Sequence, residues 1–581
     1  MTAVPRLPWI TAGVFLDLGW PPGARSSAVE RPPYKRVVGG SIPSAPTALI
    51  DYGRRVTTPA GGPSRRHVLQ LGGVALASLV AGCTRAPQRT MGLSHPEPTA
   101  VRPTRAAVRS AARPGFPALS AQLSSPLLFA GAAGYAVAAR LYNPRFDRGA
   151  HPAVIARCAS ARDVAACVRF AAAGGAPIRL RAGGHSYGGW STGPGLVADV
   201  RRMGGVAVDT ASGTALVGAG ALLVDVYAAL AAKGMALAAG SCPTVGVTGL
   251  TLGGGVGVLT RAFGLTCDAL RSIQLVTADG VVREVGPRTD PDLFWALRGG
   301  GGGSFGAVTA CTFAVRPAPT VTTFFLEWSF GHAEAVLAAW QRWMAGADKR
   351  LWSTCKLLVT PARGGLRAVV AGTWIGPSSG LQQQLRPLLT AVGAPPRSQN
   401  AHVLGYGQAM LFEAGCRGQS AAQCTAQALS PARRQPFAAT SAILAGPLPS
   451  AGIHAAVAGV RAGLGVPGMV EGGVSFDALG GAVAAIAPGD TAFVHRHALA
   501  TVQYTATWDG TLTPAAFDAY VRGQRSALRR WTGLSAYVNY ADPAIADSGT
   551  AYWGANLARL RAVKRRYDPG GLFTFPQSVQ P

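Results

Sequence analysis

Apolar and polar positions change period several times along this chain, and each change marks an element. Ala153-Val154-Ile155-Ala156 is a short apolar run, and Ser160 after it can cap a helix whose interior positions Val164, Cys167, Val168 and Ala171 recur at helical spacing. Residues 176–180 form another short strand. It opens into Arg181-Ala182-Gly183-Gly184-His185-Ser186-Tyr187-Gly188-Gly189-Trp190, where four glycines clear side chains from a sharp turn around one imidazole. Residues 196–200 and 214–218 predict strands, and 222–233 predicts a helix that stops at Gly234. Residues 272–277 and 281–285, joined by Ala278-Asp279-Gly280, predict a hairpin. A short helix over 292–298 runs into the glycines 299–303, after which 304–309 returns to strand.

Between these elements lies a second glycine-rich segment, residues 240–257, otherwise apolar. That composition makes a poor ordinary strand or helix, but it suits backbone N–H groups crowding around an anion such as a pyrophosphate. It is neither a dinucleotide-binding Gly-x-Gly-x-x-Gly nor a phosphate loop ending in Gly-Lys-Ser/Thr. From about Pro317 the runs lengthen. Residues 321–328, 351–359 and 368–374 predict a sheet, 333–343 an amphipathic helix, and the second domain ends near Leu534. In the tail, 556–566 carries Leu557, Leu560 and Val563 on one helical face, with Arg559, Arg561, Lys564 and Arg565 elsewhere, and stops at Asp568-Pro569-Gly570-Gly571. The mixture predicts an α+β fold.

Composition sharpens the picture. A chain of 581 residues, 48% hydrophobic, can bury at least two large cores. The net charge of +28 suggests nucleic acid, yet its distribution argues against it. Residues 1–120 hold 15 Lys/Arg against 4 Asp/Glu, and the remaining arginines are scattered with no aromatic-interleaved stripe. Residues 1–62 are Pro/Gly/Arg-rich without period and read as disordered. Ser64-Arg65-Arg66-His67-Val68-Leu69-Gln70 resembles a twin-arginine export signal, residues 71–80 are apolar and too short to span a bilayer, and Val80-Ala81-Gly82-Cys83 resembles a lipobox. Such signals begin close to their arginines, so much of 1–60 is expected to be an over-long translation start. The expectation is export to the cell envelope by the twin-arginine route, with membrane attachment through a lipidated Cys83. Residues 1–82 are then leader and signal, and the Pro/Ala/Arg-rich 83–140 a tether, with order beginning between 125 and 140. None of the nine cysteines forms a two-residue-spaced pair, which argues against a structural metal. Cys416 and Cys424 bracket a polar loop that could carry a disulfide after export.

Six motifs in order resemble the berberine-bridge-enzyme-like flavin oxidoreductases of the vanillyl-alcohol-oxidase fold. They are Arg181-Ala182-Gly183-Gly184-His185-Ser186; Cys242-Pro243-Thr244-Val245-Gly246; residues 292–298 with their glycine run; Ala492-Phe493-Val494-His495-Arg496; Tyr537-Val538-Asn539-Tyr540-Ala541-Asp542; and Tyr567-Asp568-Pro569 with Pro576-Gln577-Ser578. The resemblance spans about residues 140–581. It implies a two-subdomain FAD-binding domain of the PCMH type over 141–317. A substrate domain on an antiparallel sheet covered by helices follows over 318–534, and then a C-terminal segment, 535–581, that returns to the FAD domain.

It also implies FAD bound covalently twice, His185 to the 8α-methyl and Cys242 to C6 of the flavin, with Cys267 structural. A neutral imidazole and a thiolate are suitable nucleophiles for an electron-poor ring. Arg181, Ala182, Gly183, Gly184, Ser186, Tyr187 and Gly188 from the first segment, and Val245, Gly246, Thr248, Gly249, Gly253, Gly254, Gly255 and Gly257 from the second, are expected to cradle the cofactor. Tyr540 lies against it as the base that takes a hydroxyl proton, which requires a pKa lowered by nearby cations or hydrogen bonds. Tyr537 is a second catalytic member or packing. Gln503, facing the same way as Thr501, orients substrate or is an edge-strand polar residue. Alkaloid-cyclising members carry a carboxylate where this chain has Thr501, which argues against that reaction. Val245, small and branched, implies oxygen access. Ser304, Leu250 and Gly571 depart from the usual Asn, His and Asn and leave the substrate open. The expected activity is oxidation of an alcohol group on a sugar or secondary metabolite, with O2 as acceptor and H2O2 as product. The alternatives are a flavin dehydrogenase with another acceptor and a non-catalytic flavin-binding lipoprotein.

Overall fold

The computed structural model describes residues 115–147, 151–361, 365–430 and 433–581. The signal, the lipobox and most of the tether therefore lie outside the described residues. The last part of the expected tether does not behave as one. Helices Phe116–Ser120 and Tyr135–Ala139 belong to the folded body, with Phe116, Leu119 and Leu127 in its core and Phe116 against Phe129 and Phe170. The Pro/Ala/Arg bias around them concealed the anchors Phe116, Leu119, Leu127 and Phe129.

The first sheet has four strands, β1 (Leu128–Phe129), β2 (Val154–Arg157), β3 (Ile178–Arg181) and β4 (Leu196–Asp199), in the order β1-β2-β4-β3. Its β2–β4 and β3–β4 pairings are parallel, which the crossover helix Ala161–Ala172 makes possible. Ser160 caps that helix at the Asp163 N–H, 3.2 Å away, as expected. The second lobe contains β5 (Val206–Asp209), β6 (Thr214–Gly218), a two-residue strand β7 (Met235–Ala236), β8 (Leu270–Val276), β9 (Val282–Val285) and β10 (Ala307–Ala314). Five of these form an antiparallel sheet in the order β5-β6-β10-β8-β9, with β8 and β9 as the expected hairpin. Strand β7 pairs instead with β11 (Arg316–Pro317) at the exit from the lobe.

The third sheet is a seven-stranded antiparallel platform of β12 (Thr320–Ser329), β13 (Leu351–Thr360), β14 (Gly365–Ile375), β15 (Ser398–Gly405), β16 (Phe437–Leu444), β17 (Met469–Ala478) and β18 (Ala500–Trp508), ordered β15-β12-β14-β13-β17-β18-β16. Period-2 alternation gives it two different faces. Cys355, Leu357, Val474, Phe476, Val502 and Tyr504 point into an apolar core closed by helices Ala333–Gly346, Ser378–Val392, Ser450–Ala462 and Ala515–Thr532. The opposite face is polar although it is buried. Thr354, Asp477 and Thr501 stand in register across β13, β17 and β18, and Lys356, Ser475 and Gln503 form the next row. A buried polar sheet face is costly unless it serves partners.

The C-terminal residues pack back into the core shared by the first two sheets. Helix Leu557–Tyr567 buries Leu560 and Val563 as expected, but Lys564 is also fully buried. Its ammonium donates to Asp568 (2.6 Å), Ser304 O (2.6 Å) and Phe573 O (2.8 Å). A lysine after two buried neighbours on a basic helix gives no sign in sequence that it turns inward. Asp568 explains the Tyr-Asp-Pro motif, because its carboxylate also accepts from the Leu572 and Phe573 N–H groups.

Candidate active site

One cleft runs between the first two sheets and the C-terminal segment, with Phe437 of β16 also on its wall, and encloses a cavity of about 330 Å³. Its wall is built from both glycine-rich segments. Gly183 and Gly246 touch through their backbones: a Cβ on the first would sit 2.2 Å from Gly246 N, and one on the second 2.4 Å from Gly183 N. This contact brings the His185 and Cys242 loops together, and no residue larger than glycine permits it. Gly184 turns at φ +73°.

His185 stacks on Tyr142, with ring centroids 3.7 Å apart and planes 17° apart, and its Nε2 lies 2.9 Å from Thr244 Oγ1. Burial pushes its pKa down to about 3, so the imidazole is neutral. Cys242 lines the same cavity, and burial raises its thiol to about 11, against smaller opposing effects from the Thr244 N–H and the Tyr142 hydroxyl. The thiol, not the thiolate, is the resting form. Tyr142 thus touches both expected attachment residues. It is an aromatic in an irregular loop and carried no sequence signal for that role.

Tyr540 also lines the cavity and stacks on Tyr187 (5.3 Å, 19°), whose hydroxyl accepts a 2.6 Å hydrogen bond from the Gln503 amide. The expected lowering of the Tyr540 pKa is not found. Burial raises it well above its usual value, and the largest charge acting on it is the Asp477 carboxylate, not a cation. Asp477 was missed in the sequence because a lone acid in a strand has no spacing signature. Tyr537 does not line the cavity. It is 1% exposed, and its hydroxyl is engaged by the Gly255 N–H (3.0 Å) and the Asn539 amide (2.9 Å), which makes it a strut beneath Tyr540. Gln503 likewise lies behind the wall and acts through Tyr187.

Among the expected cradle residues, Arg181, Ala182, Gly183, Gly184, Ser186, Tyr187, Val245, Gly246, Thr248 and Gly249 line the cavity. Gly188, Gly253, Gly254, Gly255 and Gly257 do not. They are packing glycines: an added Cβ would meet Trp190 at 2.6 Å, Asn539 at 2.0 Å, Phe493 at 2.9 Å, Thr266 at 2.3 Å and the Ala239 carbonyl at 1.8 Å respectively. Gly300, Gly301, Gly302 and Gly303 take their place on the wall.

The wall suits a flavin dinucleotide. The N–H groups of Gly183, Gly184, His185, Ser186 and Tyr187 have no backbone acceptor among the described residues. Arg181 Nη2 is buried on the wall without a hydrogen-bond partner among the described residues. Such donors suit phosphate and flavin oxygens. Two further motifs brace the site from outside. Arg496 makes a buried two-point ion pair with Asp268 (2.7 and 2.8 Å). His495 Nε2 lies 3.1 Å from both Ala536 O and Tyr552 O, fixing the segment that carries Tyr540.

Residues 152–286 match the FAD binding domain family, and residues 536–580 match the berberine and berberine-like family. An FAD-linked oxidoreductase of Bacillus subtilis is 34% identical over 438 residues, covering 74% of this chain and 92% of that protein. The chitooligosaccharide oxidase of Gibberella zeae is 31% identical over 452 residues, covering 74% of this chain and 87% of its own. A crystal structure of a glucooligosaccharide oxidase from Acremonium strictum, which revealed a novel flavinylation, superposes with a TM-score of 0.71 at 27% identity, covering 80% of this chain and 98% of that one. With FAD as its cofactor, this chain belongs to the berberine-bridge-enzyme-like FAD-linked oxidoreductases.

Proposed function

We propose that the protein is an oxidase of alcohol groups on a sugar or related polyol, holding FAD through both His185 and Cys242 and using O2 as acceptor. The observation that carries this reading is the convergence of His185, Cys242 and Tyr540 on one cavity wall, with Tyr142 touching the first two. When bound, FAD would supply the hydride acceptor, with O2 as the final oxidant. The protein's part is to bind, orient and hold protons. The neutral His185 and the Cys242 thiol are the attachment points, and the stacked Tyr142 keeps both in place. Tyr540, kept neutral by burial, would take the hydroxyl proton of the substrate as it passes its own proton to the carboxylate of Asp477, whose charge acts on it. Gln503 and Tyr187 hold the face against which the carbinol lies. Val245, three residues after Cys242, leaves room for oxygen. The names of the oligosaccharide oxidases above support a sugar.

The twin-arginine segment and lipobox support export and lipidation at Cys83. An oxidising compartment also suits the Cys416–Cys424 disulfide.

Acid precipitation of purified protein tests the double link. Colour stays with the wild-type chain and is lost to the supernatant only when His185 and Cys242 are both replaced. FAD freed from the wild type excludes covalent attachment. Tyr540→Phe is expected to slow flavin reduction by an oxidisable sugar about 100-fold or more, without loss of bound flavin. Reoxidation of photoreduced protein in air separates oxidase from dehydrogenase.

A further inference from the structure

Tyr142 meets the two attachment residues through different atoms. Its backbone N–H donates to Gly184 O at 3.1 Å, next to His185, and its ring lies on the His185 imidazole at 3.7 Å. Its hydroxyl, kept protonated by burial, donates to the Cys242 sulfur. The residues beside it fix the loop that carries it. Asn143 exchanges hydrogen bonds with the Phe437 backbone on β16 (2.9 and 3.3 Å). Arg145 grips Asp518 of helix Ala515–Thr532 at two points (2.8 and 2.9 Å), and Asp147 accepts from Arg434 at 2.7 Å. Tyr142 is thereby held between its two partners.

Those partners need different help. The His185 imidazole, with its pKa down to about 3, is already neutral and has only to be aimed. Cys242 must also lose a proton, because the thiolate is the nucleophile. With its thiol at about 11, only about one molecule in ten thousand carries the thiolate at pH 7. Hydrogen-bond donors at the sulfur raise that fraction. The Thr244 N–H and the Tyr142 hydroxyl both act in this direction, and of the two only the hydroxyl belongs to a side chain.

We infer that Tyr142 governs the two flavin links separately, its ring setting the His185 imidazole and its hydroxyl supporting the Cys242 thiolate. The inference rests on the reading that both residues carry the flavin, and it makes Tyr142 a positioning residue. In forming the second link the Cys242 S–H bond and the flavin C6–H bond break and one S–C bond forms. Both hydrogens leave with two electrons, which O2 takes up as H2O2. Loss of the hydroxyl slows that step and leaves the first link as it is.

Peptide mass spectrometry of purified, denatured protein tests this without turnover. Flavin mass on the His185 peptide counts the first link, and iodoacetamide labelling counts free Cys242. In the wild type Cys242 is expected to be blocked; a labelled Cys242 or a flavin-free His185 peptide there would sink the double-link reading itself. Tyr142→Phe, which keeps the ring, is expected to retain the His185 link at the wild-type level while free Cys242 rises at least ten-fold. Incubating that variant in air at pH 9 instead of pH 7 is expected to lower its free Cys242, as thiolate becomes more abundant; an unchanged fraction overturns the thiolate role. Tyr142→Leu, lacking ring and hydroxyl, is expected to lose both links, and an intact His185 link there removes the ring from the account. Cys242 as fully blocked in Tyr142→Phe as in the wild type overturns the inference. So does loss of both links together in that variant, the mark of a merely loosened loop. If Tyr142→Phe does not fold, Tyr142→His, whose ring is shorter than a phenol, carries the same expectation.

Discussion

Glu413, the last residue of helix Tyr406–Glu413 and buried on the cavity wall, has a consequence for stability. Its folded pKa, about 8, lies above the ordinary value of 4.5. The folded chain therefore holds this proton where the unfolded chain does not, and the associated stability, full below the ordinary value, is lost as pH rises towards 8. Glu413→Gln removes that loss. The variant is expected to gain on the wild type by a few kcal/mol between pH 5 and pH 8.5, read as the change in the difference between their urea midpoints. A constant difference across that range would place Glu413 in a wetter setting. At this scale the sequence showed His185 and Cys242 through their motifs. It concealed Tyr142, Asp477 and Glu413, because a single aromatic or acid acquires its role only from what the fold sets beside it.

At the scale of elements, the two glycine segments work as one device. Gly183→Ala puts a methyl 2.2 Å from a backbone nitrogen, which cannot move aside as a flexible side-chain end can. The loops must part, and the variant is expected to purify folded but with less than a tenth of its flavin bound covalently, scored by acid precipitation. Retention of full covalent flavin would show that the contact is dispensable. Most elements were legible because their periods were clean: the helix 333–343 and the strands 321–328, 351–359 and 368–374 were found with ends shifted by a few residues. The glycine run 253–257 misled for a physical reason. Glycine is needed wherever backbones or bulky groups come close, whether the neighbour is a cofactor or the chain itself. Composition cannot tell Gly253 against Asn539 from Gly301 on the cavity wall.

For the whole molecule, the C-terminal segment closes the structure. Lys564→Met leaves Asp568 buried without its counter-ion, and breaking such a pair typically costs about 3–5 kcal/mol. The two backbone donors to Asp568 offset part of that. The expected result is a lower unfolding midpoint together with slower flavin reduction, since the same segment carries Tyr540. Loss of stability with an unchanged reduction rate would separate the latch from the site.

The order in which the chain is synthesised gives this closure another meaning. His185 and Cys242 leave the ribosome about three hundred residues or more before Tyr540, and Asp568 follows later still. The pocket lacks one wall until the segment that carries Tyr540 and Asp568 has been made, so a chain terminated before it retains His185 and Cys242 but no complete mould for the flavin. Loading of the cofactor is then expected to wait for that segment. A coloured protein would be one in which residues 535–581 have been made and have found their place.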